Sequence, residues 1–367
     1  MSILVLNAGS SSVKAALFGD DLTALASLTV SEIGPQAQMG GASVAAPDHA
    51  SAIAVIIAKL TAIGHGPDTL SAAAHRVVHG GASLTAPARV TAIVRDAIVK
   101  LVPLAPLHNP ANLAGIDAIA AIAPALPQIA CFDTAFHATN PGVATAYAIP
   151  ATEQAKGIRR YGFHGISYAD LATRILPRPD RLLAFHLGNG ASLCAIRGGH
   201  SVATTMGYSP VDGLTMGTRS GSIDPNAVLR IASDHGVATA AEILNKKSGL
   251  LALGGASDMR TLSQAQTKEA RFAIGHFTYW AVRHAGSMIA AMGGIDALAF
   301  TGGIGENDPN IRAAIMEGLA FTGLDMDAAA NAKGDKTLHT ATSIVSAWIV
   351  PAQEERAIAA AALKVLG

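Results

Sequence analysis

The sequence has few charged residues and no excess of either sign. Charged residues make up 14% of the 367 residues, and 26 basic residues balance 26 acidic ones. Proteins that bind nucleic acid usually carry a basic surface, so we expect no nucleic-acid partner. A low charge content is also consistent with a protein that hides part of its surface in a subunit interface.

Cysteine is scarce as well. The chain has 2 cysteines, Cys131 and Cys194, and both lie in apolar stretches typical of strands. A disulfide framework needs more cysteines than this. We therefore expect two buried thiols in a reducing compartment.

Long hydrophobic runs are missing too. The alanine-rich runs at 51–63 and 116–122 are interrupted by Lys59 or Pro124, and they fall short of the ~20 residues that a membrane span requires. The start of the chain has neither the basic segment nor the small-residue cleavage site of an export signal. We expect a cytoplasmic protein that does not associate with membranes.

Apolar residues make up 50% of the sequence, and the length favours two domains over one core. Strand patterns alternate with helix patterns along the chain, which predicts an α/β fold. Strands are predicted at 3–6, 12–18, 72–78, 128–132, 182–197 (a hairpin), 296–301 and 343–350. Helices are predicted at 50–63, from Asn109, and at 167–175, 225–235, within 238–292, 309–320 and 353–365. Residues 302–307 are predicted to form a turn.

Two segments, at 4–14 and 183–192, resemble each other. Each contains an apolar strand, a turn rich in Gly, Ser and Asn, and a second strand. Turns of this kind present backbone N–H groups that bind phosphate, so the repeat predicts a nucleotide phosphotransferase built from a duplicated domain. In the first turn, Ser12 and Lys14 would bind phosphoryl oxygens; the alternative is a serine-rich turn with a solvated lysine. The sequence has no P-loop and no dinucleotide-binding glycine motif after a strand.

Two arginines lie in contexts that favour anion binding. Arg219 lies among glycines and hydroxyl residues, and Arg76 lies near the end of a predicted strand. A guanidinium group can place two N–H groups on one carboxylate or phosphate. For Arg76 the alternative is a structural salt bridge.

Histidines stand beside strand ends or glycines. His164 is a candidate donor to phosphoryl oxygens, whereas His75 and His137 are equally compatible with a buried core position. His75 and His79 are four residues apart but lack the companion ligands of a zinc site.

Asp133 is the strongest carboxylate candidate, because it follows a predicted strand and ligands gather at the carboxyl ends of strands in α/β sheets. The alternative role is a helix N-cap. Glu354 and Glu355 begin the last predicted helix, where acidic residues favour the helix dipole without any further role.

Eight motifs resemble those of the acetokinase family, in the family's order and across the whole chain. They are NAGSSSVK (7–14), HRVVHGG (75–81), PLHNP (106–110), FDTAFH (132–137), RYGFHG (160–165), HLGNG (186–190), GTRSG (217–221) and TGGIGEN (301–307). The resemblance implies the fold of the acetate and sugar kinase, Hsp70 and actin superfamily. It implies an N-terminal domain at 1–139, to which helix 356–367 returns, and a C-terminal nucleotide-binding and dimerisation domain at 140–355. It also implies a homodimer.

The resemblance assigns roles to individual positions. It places Asn7 and Glu354 near Mg²⁺, with Mn²⁺ as a possible substitute, and gives catalytic roles to Asp133, Arg76, His164 and Arg219. Beside Lys14 and Ser12, the implied ATP-binding residues are His186, Leu187, Gly188, Asn189, Gly190, Asp258, Met259, Arg260, Gly303, Ile304, Gly305, Glu306 and Asn307. The implied substrate-binding residues are Arg76, Val78, Leu107, Phe163 and Pro210, the last four of which would form an apolar pocket for the acyl methyl group.

Three positions depart from the family pattern. Ala203 stands where an aspartate is usual, Tyr168 replaces a common histidine, and Met259 replaces an aromatic residue. The departures at Ala203 and Tyr168 affect the fine positioning of side chains, and the departure at Met259 affects the packing near the nucleotide. None of them is a residue assigned to the chemistry.

The implied reaction is the reversible transfer of a phosphoryl group from ATP to acetate. Acetate is already ionised at pH 7 and needs no general base, so we expect Asp133 to orient Mg²⁺ or the substrate. One alternative is a kinase for propionate or another short-chain acid. Another is a nucleotide-driven conformational protein of the actin or Hsp70 kind, which would have no use for an acyl pocket.

Overall fold

In the computed structural model, residues 2–367 are described, and they form strands and helices that alternate along the chain. The strands are β1 (Ser2–Ala8), β2 (Val13–Gly19), β3 (Ala24–Ser31), β4 (Gln38–Met39), β5 (Ala42–Ser43), β6 (Ala72–Val77), β7 (Ala88–Arg89), β8 (Gln128–Phe132), β9 (Arg181–Leu187), β10 (Ala191–Arg197), β11 (His200–Thr204), β12 (Ala297–Thr301) and β13 (Ser346–Ile349).

The α-helices range from single turns to the 25-residue α11. They are α1 (His49–Ala62), α2 (Ala92–Lys100), α3 (Asn109–Ile122), α4 (Gly142–Thr145), α5 (Ala151–Gln154), α6 (Gly165–Arg174), α7 (Pro225–His235), α8 (Val237–Lys246), α9 (Gly249–Gly254), α10 (Met259–Gln264), α11 (Lys268–Met292), α12 (Gly302–Asn307), α13 (Pro309–Gly318), α14 (Ala328–Lys333) and α15 (Glu354–Leu366). Among residues 2–367, none of the helices combines the length and the apolar character needed to cross a membrane.

The chain divides into two compact units. The first contains the residues up to Phe136 together with Gln353–Gly367, and the second contains His137–Ala352. The first unit therefore contains α15, the last helix of the chain.

The first unit is built on an eight-stranded mixed sheet in the order β5-β4-β3-β2-β1-β6-β8-β7. Strands β1, β2 and β3 form an antiparallel meander, and β6 and β8 continue from β1 in parallel. Helices α1 and α3 pack on each other, and α15 packs on β1 and β6. Buried leucine, isoleucine and alanine side chains fill the space between the sheet and α1.

The second unit is built on a five-stranded mixed sheet in the order β11-β10-β9-β12-β13. Strands β9, β10 and β11 form an antiparallel meander, and β12 and β13 continue from β9 in parallel. Helix α11 packs on β10 and β11, while α6 and α12 pack on β9. The alanines of α11 that face inward are fully buried, which lets this helix lie close to the sheet.

The two sheets share one topology. In each, a three-stranded antiparallel meander is followed by two strands parallel to its first strand, so β3-β2-β1-β6-β8 corresponds to β11-β10-β9-β12-β13. The turns of the two hairpins also correspond, because Gly9 N–H donates to Ser12 C=O (2.8 Å) and Gly188 N–H donates to Gly190 C=O (3.0 Å). This shared topology confirms the α/β class and the internal duplication predicted from the two similar segments.

Capping explains where several helices begin. Asp308 accepts hydrogen bonds from Asn310 and Ile311 N–H at the start of α13, and Pro309 occupies its first turn, as predicted. Both cysteines are free and buried, also as predicted, and burial raises the pKa of each thiol to about 12.

The prediction of a turn at 302–307 is wrong. These residues form α12, although three of them are glycines. The Glu306 carboxylate accepts a hydrogen bond from Gly302 N–H (2.8 Å), and the Asn307 amide donates to Gly303 C=O (2.9 Å). These side-chain bonds stabilise a helical turn that the glycines alone disfavour.

Candidate active site

Arg76 and Asp133 meet at the carboxyl ends of two neighbouring parallel strands. In the register of β6 and β8, Arg76 lies opposite Cys131. Asp133 lies two residues beyond Cys131, so it is on the same face as Arg76 and diagonal to it. Arg76 Nε donates to Asp133 Oδ1 (3.0 Å), and Nη2 donates to Oδ2 (2.5 Å). Asp133 is 2% exposed and Arg76 is 22% exposed. The carboxylate is therefore buried and bound on both oxygens by one guanidinium group.

The side chains of Asn7 and Glu354 also lie close to the guanidinium group of Arg76. Arg76 Nη1 donates to Asn7 Oδ1 (3.3 Å) at the end of β1, and Glu354 Oε2 lies 4.0 Å from Arg76 Nε at the start of α15. Burial lowers the pKa of Arg76, but the carboxylates of Asp133 and Glu354 outweigh burial and leave the pKa above its ordinary value. Arg76 therefore stays charged at every pH at which the protein is folded.

The oxygen atoms around Arg76 are of the kind that Mg²⁺ prefers. Asn7 contributes an amide oxygen, and Asp133 and Glu354 contribute carboxylates. Within residues 2–367 there is no group of three or more His, Cys, Asp and Glu side chains that could hold a metal without help. Mg²⁺ keeps several waters and is usually bound by one or two carboxylates together with substrate phosphates. The donor set is therefore chemically compatible with Mg²⁺.

The first hairpin places Lys14 beside Asn7. The two residues are direct partners in the register of β1 and β2, so their side chains lie on one face of the sheet. Lys14 is exposed, and Ser12 is half-buried within the turn. Lys14 thus lies on the face of the sheet that carries Asn7.

The four predicted acyl-pocket residues are divided between the units. In the first unit, Val78 is 5% exposed and its N–H donates to Asn112 Oδ1 (3.0 Å), whereas Leu107 is 46% exposed in the turn before α3. In the second unit, Phe163 is 1% exposed, and the carbonyl of Pro210 accepts from Arg219 Nη1 (3.4 Å).

His164 and Arg219 are brought together in the second unit by Gly190. A Cβ atom at Gly190 would lie 3.3 Å from His164 Nε2 and 3.5 Å from Arg219 Nη1. His164 has a positive φ of 59°, a backbone conformation that costs free energy in a non-glycine residue and is concentrated at functional sites. Its ring stacks on His186, with ring centroids 4.1 Å apart. The glycine leaves space into which both the imidazole and the guanidinium project.

A cavity of about 570 Å³ in the second unit collects most of the predicted nucleotide-binding residues. Its lining is contributed by the β9–β10 turn, the start of α10, and α12. The lining residues are Gly188, Asn189, Ser257, Asp258, Met259, Arg260, Gly303, Ile304, Asn307 and Asp308. The volume is typical of a small-molecule site. Three segments that are distant in sequence thus form one cavity.

Asp258 and Arg260 at this cavity pair with each other. Arg260 Nη2 donates to Asp258 Oδ2 (2.9 Å), and Asp258 caps α10 through the N–H groups of Arg260 and Thr261. The hydrogen bonds from Arg260 and from the helix N-terminus lower the pKa of Asp258. The carboxylate therefore remains ionised and holds α10 at the cavity wall.

Several predicted nucleotide-binding residues support the cavity without lining it. Leu187 is fully buried in β9, and Gly305 is buried within α12. The Glu306 carboxylate accepts from the N–H groups of Gly302 (2.8 Å) and Ala352 (2.9 Å). One oxygen of Glu306 is therefore engaged with the backbone at the start of α12.

Sequence reasoning did not find Ser257, Asp308 or Ser192. Asp308 was predicted only as a helix cap, and Ser257 adjoins the Asp258 motif. Ser192 lies in β10 and hydrogen-bonds His164 Nδ1 (2.8 Å). Because side chains alternate along a strand, Ser192 points to the opposite face of β10 from the residues directly before and after it. The residue that it meets there depends on how α6 packs on the sheet, which the sequence does not show.

His75 and His137 occupy buried positions. His75 Nε2 bonds Gln128 Oε1 (2.7 Å), and His137 Nε2 donates to Phe163 C=O (2.9 Å). Burial lowers the pKa of both imidazoles to about 4. Both histidines therefore remain neutral near pH 7, in accordance with the buried-core alternative.

Known proteins resemble this chain over its whole length. The family model described as the Acetokinase family matches residues 2–360. The acetate kinase of Deinococcus deserti is 45% identical, with 100% of this chain and 98% of that protein covered. The acetate kinase of Methylocella silvestris is 41% identical, with 99% and 98% covered.

Solved structures resemble its fold. The crystal structure of Porphyromonas gingivalis acetate kinase has a TM-score of 0.91 and 35% identity, with 100% of both chains covered. A propionate kinase from Francisella tularensis has a TM-score of 0.93 and 36% identity, with 98% of both chains covered. These neighbours confirm the predicted fold class. The chain belongs to the acetokinase family.

Proposed function

We propose that this protein catalyses the reversible transfer of the γ-phosphoryl group of ATP to acetate, giving ADP and acetyl phosphate. The observation that carries the proposal is the 41–45% identity, over nearly the whole chain, to proteins named acetate kinase. The buried carboxylate–guanidinium pair, the glycine-lined space beside His164 and Arg219, and the cavity of the second unit support it.

The reaction needs positioning and charge neutralisation more than proton transfer. Acetate is ionised at neutral pH, so one carboxylate oxygen can attack the γ-phosphorus directly while the bond to the β-phosphate oxygen breaks. The proposed roles of Arg76, Arg219 and His164 are to donate hydrogen bonds to the acetate and to the phosphoryl oxygens. Permanent guanidinium charges and oriented N–H groups stabilise the negative charge of such a transition state.

Asp133 is proposed to orient Arg76, and Mg²⁺ where that ion is bound. Both of its oxygens already accept hydrogen bonds from Arg76, and the carboxylate is 2% exposed. A base in that position has little access to a substrate proton, and acetate has no proton to give. Asn7, Asp133 and Glu354 are the residues that would hold Mg²⁺, or Mn²⁺ in its place. When bound, the ion neutralises charge on the nucleotide phosphates.

ATP is proposed to bind in the cavity of the second unit. The glycine backbone of the β9–β10 turn and the start of α12 can approach a phosphate chain closely, since no side chain intervenes at Gly188 and Gly303. Lys14 and Ser12 in the hairpin of the first unit are proposed to contact the phosphates as well. The two compact units are proposed to be the two duplicated domains.

A kinase for propionate is the second candidate, since a propionate kinase is among the similar structures. Val78, Leu107, Phe163 and Pro210 are proposed to surround the acyl methyl group. One additional methylene changes selectivity by only about 1–3 kcal/mol, so a small change in this pocket decides between the two acids.

We also propose that the protein is a cytoplasmic homodimer that associates through its second unit. Phe272 and Tyr279 on α11 are 59% and 62% exposed in the single chain. Aromatic residues are enriched at protein interfaces, and this helix lies on the surface of the second unit.

The test is a coupled assay of ADP formation by the purified protein with ATP, Mg²⁺ and acetate, propionate or butyrate in turn. We expect acetate to give the highest kcat/KM, propionate a value lower by roughly 10-fold or more, and butyrate the lowest. A higher kcat/KM for propionate would establish the second candidate. Failure to form ADP with all three acids, in a protein that binds ATP, would contradict both.

A further inference from the structure

We propose that Tyr168 is a positioning residue that acts on His164 through the Ser192 hydroxyl and keeps the imidazole proton on Nε2. The part of this inference that concerns catalysis rests on the proposed function, because His164 is the proposed donor to the phosphoryl group. The part that concerns the imidazole tautomer stands on the geometry of the second unit alone.

Tyr168 and His164 belong to the same turn of α6. His164 occupies the N-cap position of the helix, and Tyr168 N–H donates to His164 C=O (3.0 Å). Residues four apart lie on one face of a helix, so the phenol and the imidazole both face β9 and β10. Ser192 on β10 lies between them.

The three side chains form a continuous hydrogen-bonded chain. The Tyr168 hydroxyl lies 2.6 Å from Ser192 Oγ, and Ser192 Oγ lies 2.8 Å from His164 Nδ1. Tyr168 and Ser192 are both 0% exposed, so bulk solvent does not reach their hydroxyl groups.

The number of available protons decides which group donates in each of these two hydrogen bonds. Within residues 2–367, Ser192 Oγ is the one hydrogen-bond acceptor within reach of the Tyr168 hydroxyl. The phenol must therefore donate to Ser192, or leave a buried O–H without a partner, which costs about 1–3 kcal/mol. Ser192 in turn has a single proton and donates it to His164 Nδ1. Since Nδ1 accepts, the proton of the neutral imidazole lies on Nε2.

The reverse order leaves one group unsatisfied. If His164 Nδ1–H donated to Ser192, and Ser192 donated to Tyr168, the phenol proton would have no acceptor among the described residues. Burial raises the pKa of Tyr168 well above its ordinary value, and this outweighs the lowering effect of its hydrogen bonds with Ser192 and with the backbone of His186. The phenol is therefore not deprotonated at any pH of interest and remains a donor.

The tautomer decides what His164 presents to the space beside Gly190. Nε2 is the atom nearest to the position of a Gly190 Cβ, at 3.3 Å, and Arg219 Nη1 lies 3.5 Å from the same position. With its proton on Nε2, the imidazole presents an N–H beside the guanidinium, and both donate to an anionic oxygen. With its proton on Nδ1, it would present a lone pair that repels that oxygen.

A phenol suits this position because its rigid ring reaches from α6 to β10 and its proton is held tightly. Tyr168 also packs its edge against the rings of His137 (5.8 Å between centroids) and His186 (6.4 Å).

The first experiment compares Tyr168→Phe and Ser192→Ala with wild type. Each variant removes one hydroxyl and keeps most of the packing volume. We expect kcat to fall about 10-fold in each, since a net hydrogen bond of this kind is worth about one factor of ten, with KM for ATP and acetate changed less than about twofold. The double variant is expected to be no slower than the slower single variant, because both changes break the same chain.

Tyr161→Phe is the matched control. Tyr161 is also buried in the second unit, at 7% exposed, and its hydroxyl donates to Gly157 C=O (2.9 Å), whereas that of Tyr168 bonds Ser192. We expect this variant to lose one buried hydroxyl with an unchanged kcat. If Tyr161→Phe and Tyr168→Phe lowered kcat equally, the loss would come from general destabilisation and the proposal would be wrong.

The second experiment observes the imidazole directly, by long-range ¹H–¹⁵N NMR of protein labelled with ¹⁵N-histidine, with His164→Gln used to assign the signal. We expect a protonated Nε2 and an unprotonated Nδ1 in wild type, and a mixture of tautomers in Tyr168→Phe. A protonated Nδ1 in wild type, or an unchanged spectrum in Tyr168→Phe, overturns the inference. This readout does not require turnover, so a protein that shows the expected tautomer but does not phosphorylate acetate would refute the proposed function only.

Discussion

At the scale of single residues, the pair formed by Arg76 and Asp133 combines a structural and a catalytic role. Asp133 is almost fully buried, and its two oxygens are bound by the guanidinium group of Arg76. A buried carboxylate that loses the guanidinium group paired with it is strongly destabilising. Arg219 donates to the carbonyl of Pro210 and to the thioether of Met216, and neither of these two groups carries a charge that removal of Arg219 would leave unpaired.

We therefore expect Arg76→Ala and Arg219→Ala to lose activity to a similar extent but to differ in stability. Both should lower kcat by roughly 10³-fold or more, as for arginines that stabilise phosphoryl transfer. Arg76→Ala should also lower the free energy of unfolding by about 3–5 kcal/mol, whereas Arg219→Ala should change it by less than about 1 kcal/mol. Steady-state kinetics and urea denaturation measure the two quantities.

The double variant Arg76→Ala with Asp133→Asn serves as the control for the buried charge. Asparagine removes the uncompensated carboxylate, so we expect the double variant to recover part of the stability and none of the activity. If Arg76→Ala were as stable as wild type, the buried carboxylate of Asp133 would not need Arg76 to balance its charge. If either single variant kept kcat within about tenfold of wild type, its catalytic role would be contradicted.

At the scale of secondary-structure elements, α12 depends on one glycine. Gly302 has a φ of +79°, and a Cβ there would lie 2.7 Å from Leu187 C=O on β9. The backbone of β9 cannot move aside without disturbing the centre of the sheet. Gly302 therefore allows β12 to turn into α12, whose Gly303 and Ile304 line the cavity of the second unit.

We expect Gly302→Ala to lower the melting temperature and to raise KM for ATP severalfold, with little change in KM for acetate. The matched control is Gly293→Ala at the end of α11, where φ is +76° but no atom lies within 4 Å of a Cβ. The control should lose only the about 1–2 kcal/mol that a left-handed conformation costs an L-residue, and its KM for ATP should not change. Equal effects of the two substitutions on KM for ATP would show that the contact with β9 is unimportant.

At the scale of the whole molecule, buried histidines link stability to pH in both units. Burial lowers the pKa of His75 in the first unit and of His137 in the second to about 4, while an unfolded histidine titrates near 6.5. Between these values the unfolded chain binds protons that the folded chain does not. The free energy of unfolding therefore falls as the pH falls from 6.5 towards 4.

We expect each of these histidines to contribute a slope of up to about 1.4 kcal/mol per pH unit between pH 5 and 6. Urea denaturation at intervals of pH from 5 to 7.5 measures the slope. His75→Gln should reduce the slope by the amount that corresponds to one proton, up to about 1.4 kcal/mol per pH unit, since glutamine does not titrate. The same slope in the variant and in wild type would mean that His75 takes up a proton in the folded state.

Much of this protein could be predicted from its sequence because local patterns carry the necessary information. An apolar run predicts strand β1, a glycine-rich turn predicts the hairpin of β9 and β10, and an Asp-Pro pair predicts the cap of α13. These features depend on residues a few positions apart, so the chain determines them before it folds. The repeat of the strand–turn–strand segment likewise predicted the internal duplication.

The tertiary structure alone decided which side chains meet. Arg76 and Asp133 are 57 residues apart, and they pair because β6 and β8 align in one register. Tyr168 lies 24 residues from Ser192, and the contact depends on how α6 packs against β10. The sequence by itself determined most of the elements, the duplication and the family, since these follow from local periodicity and motif order. The partners of the buried polar groups depend on strand register and helix packing, which bring together residues that no local pattern connects.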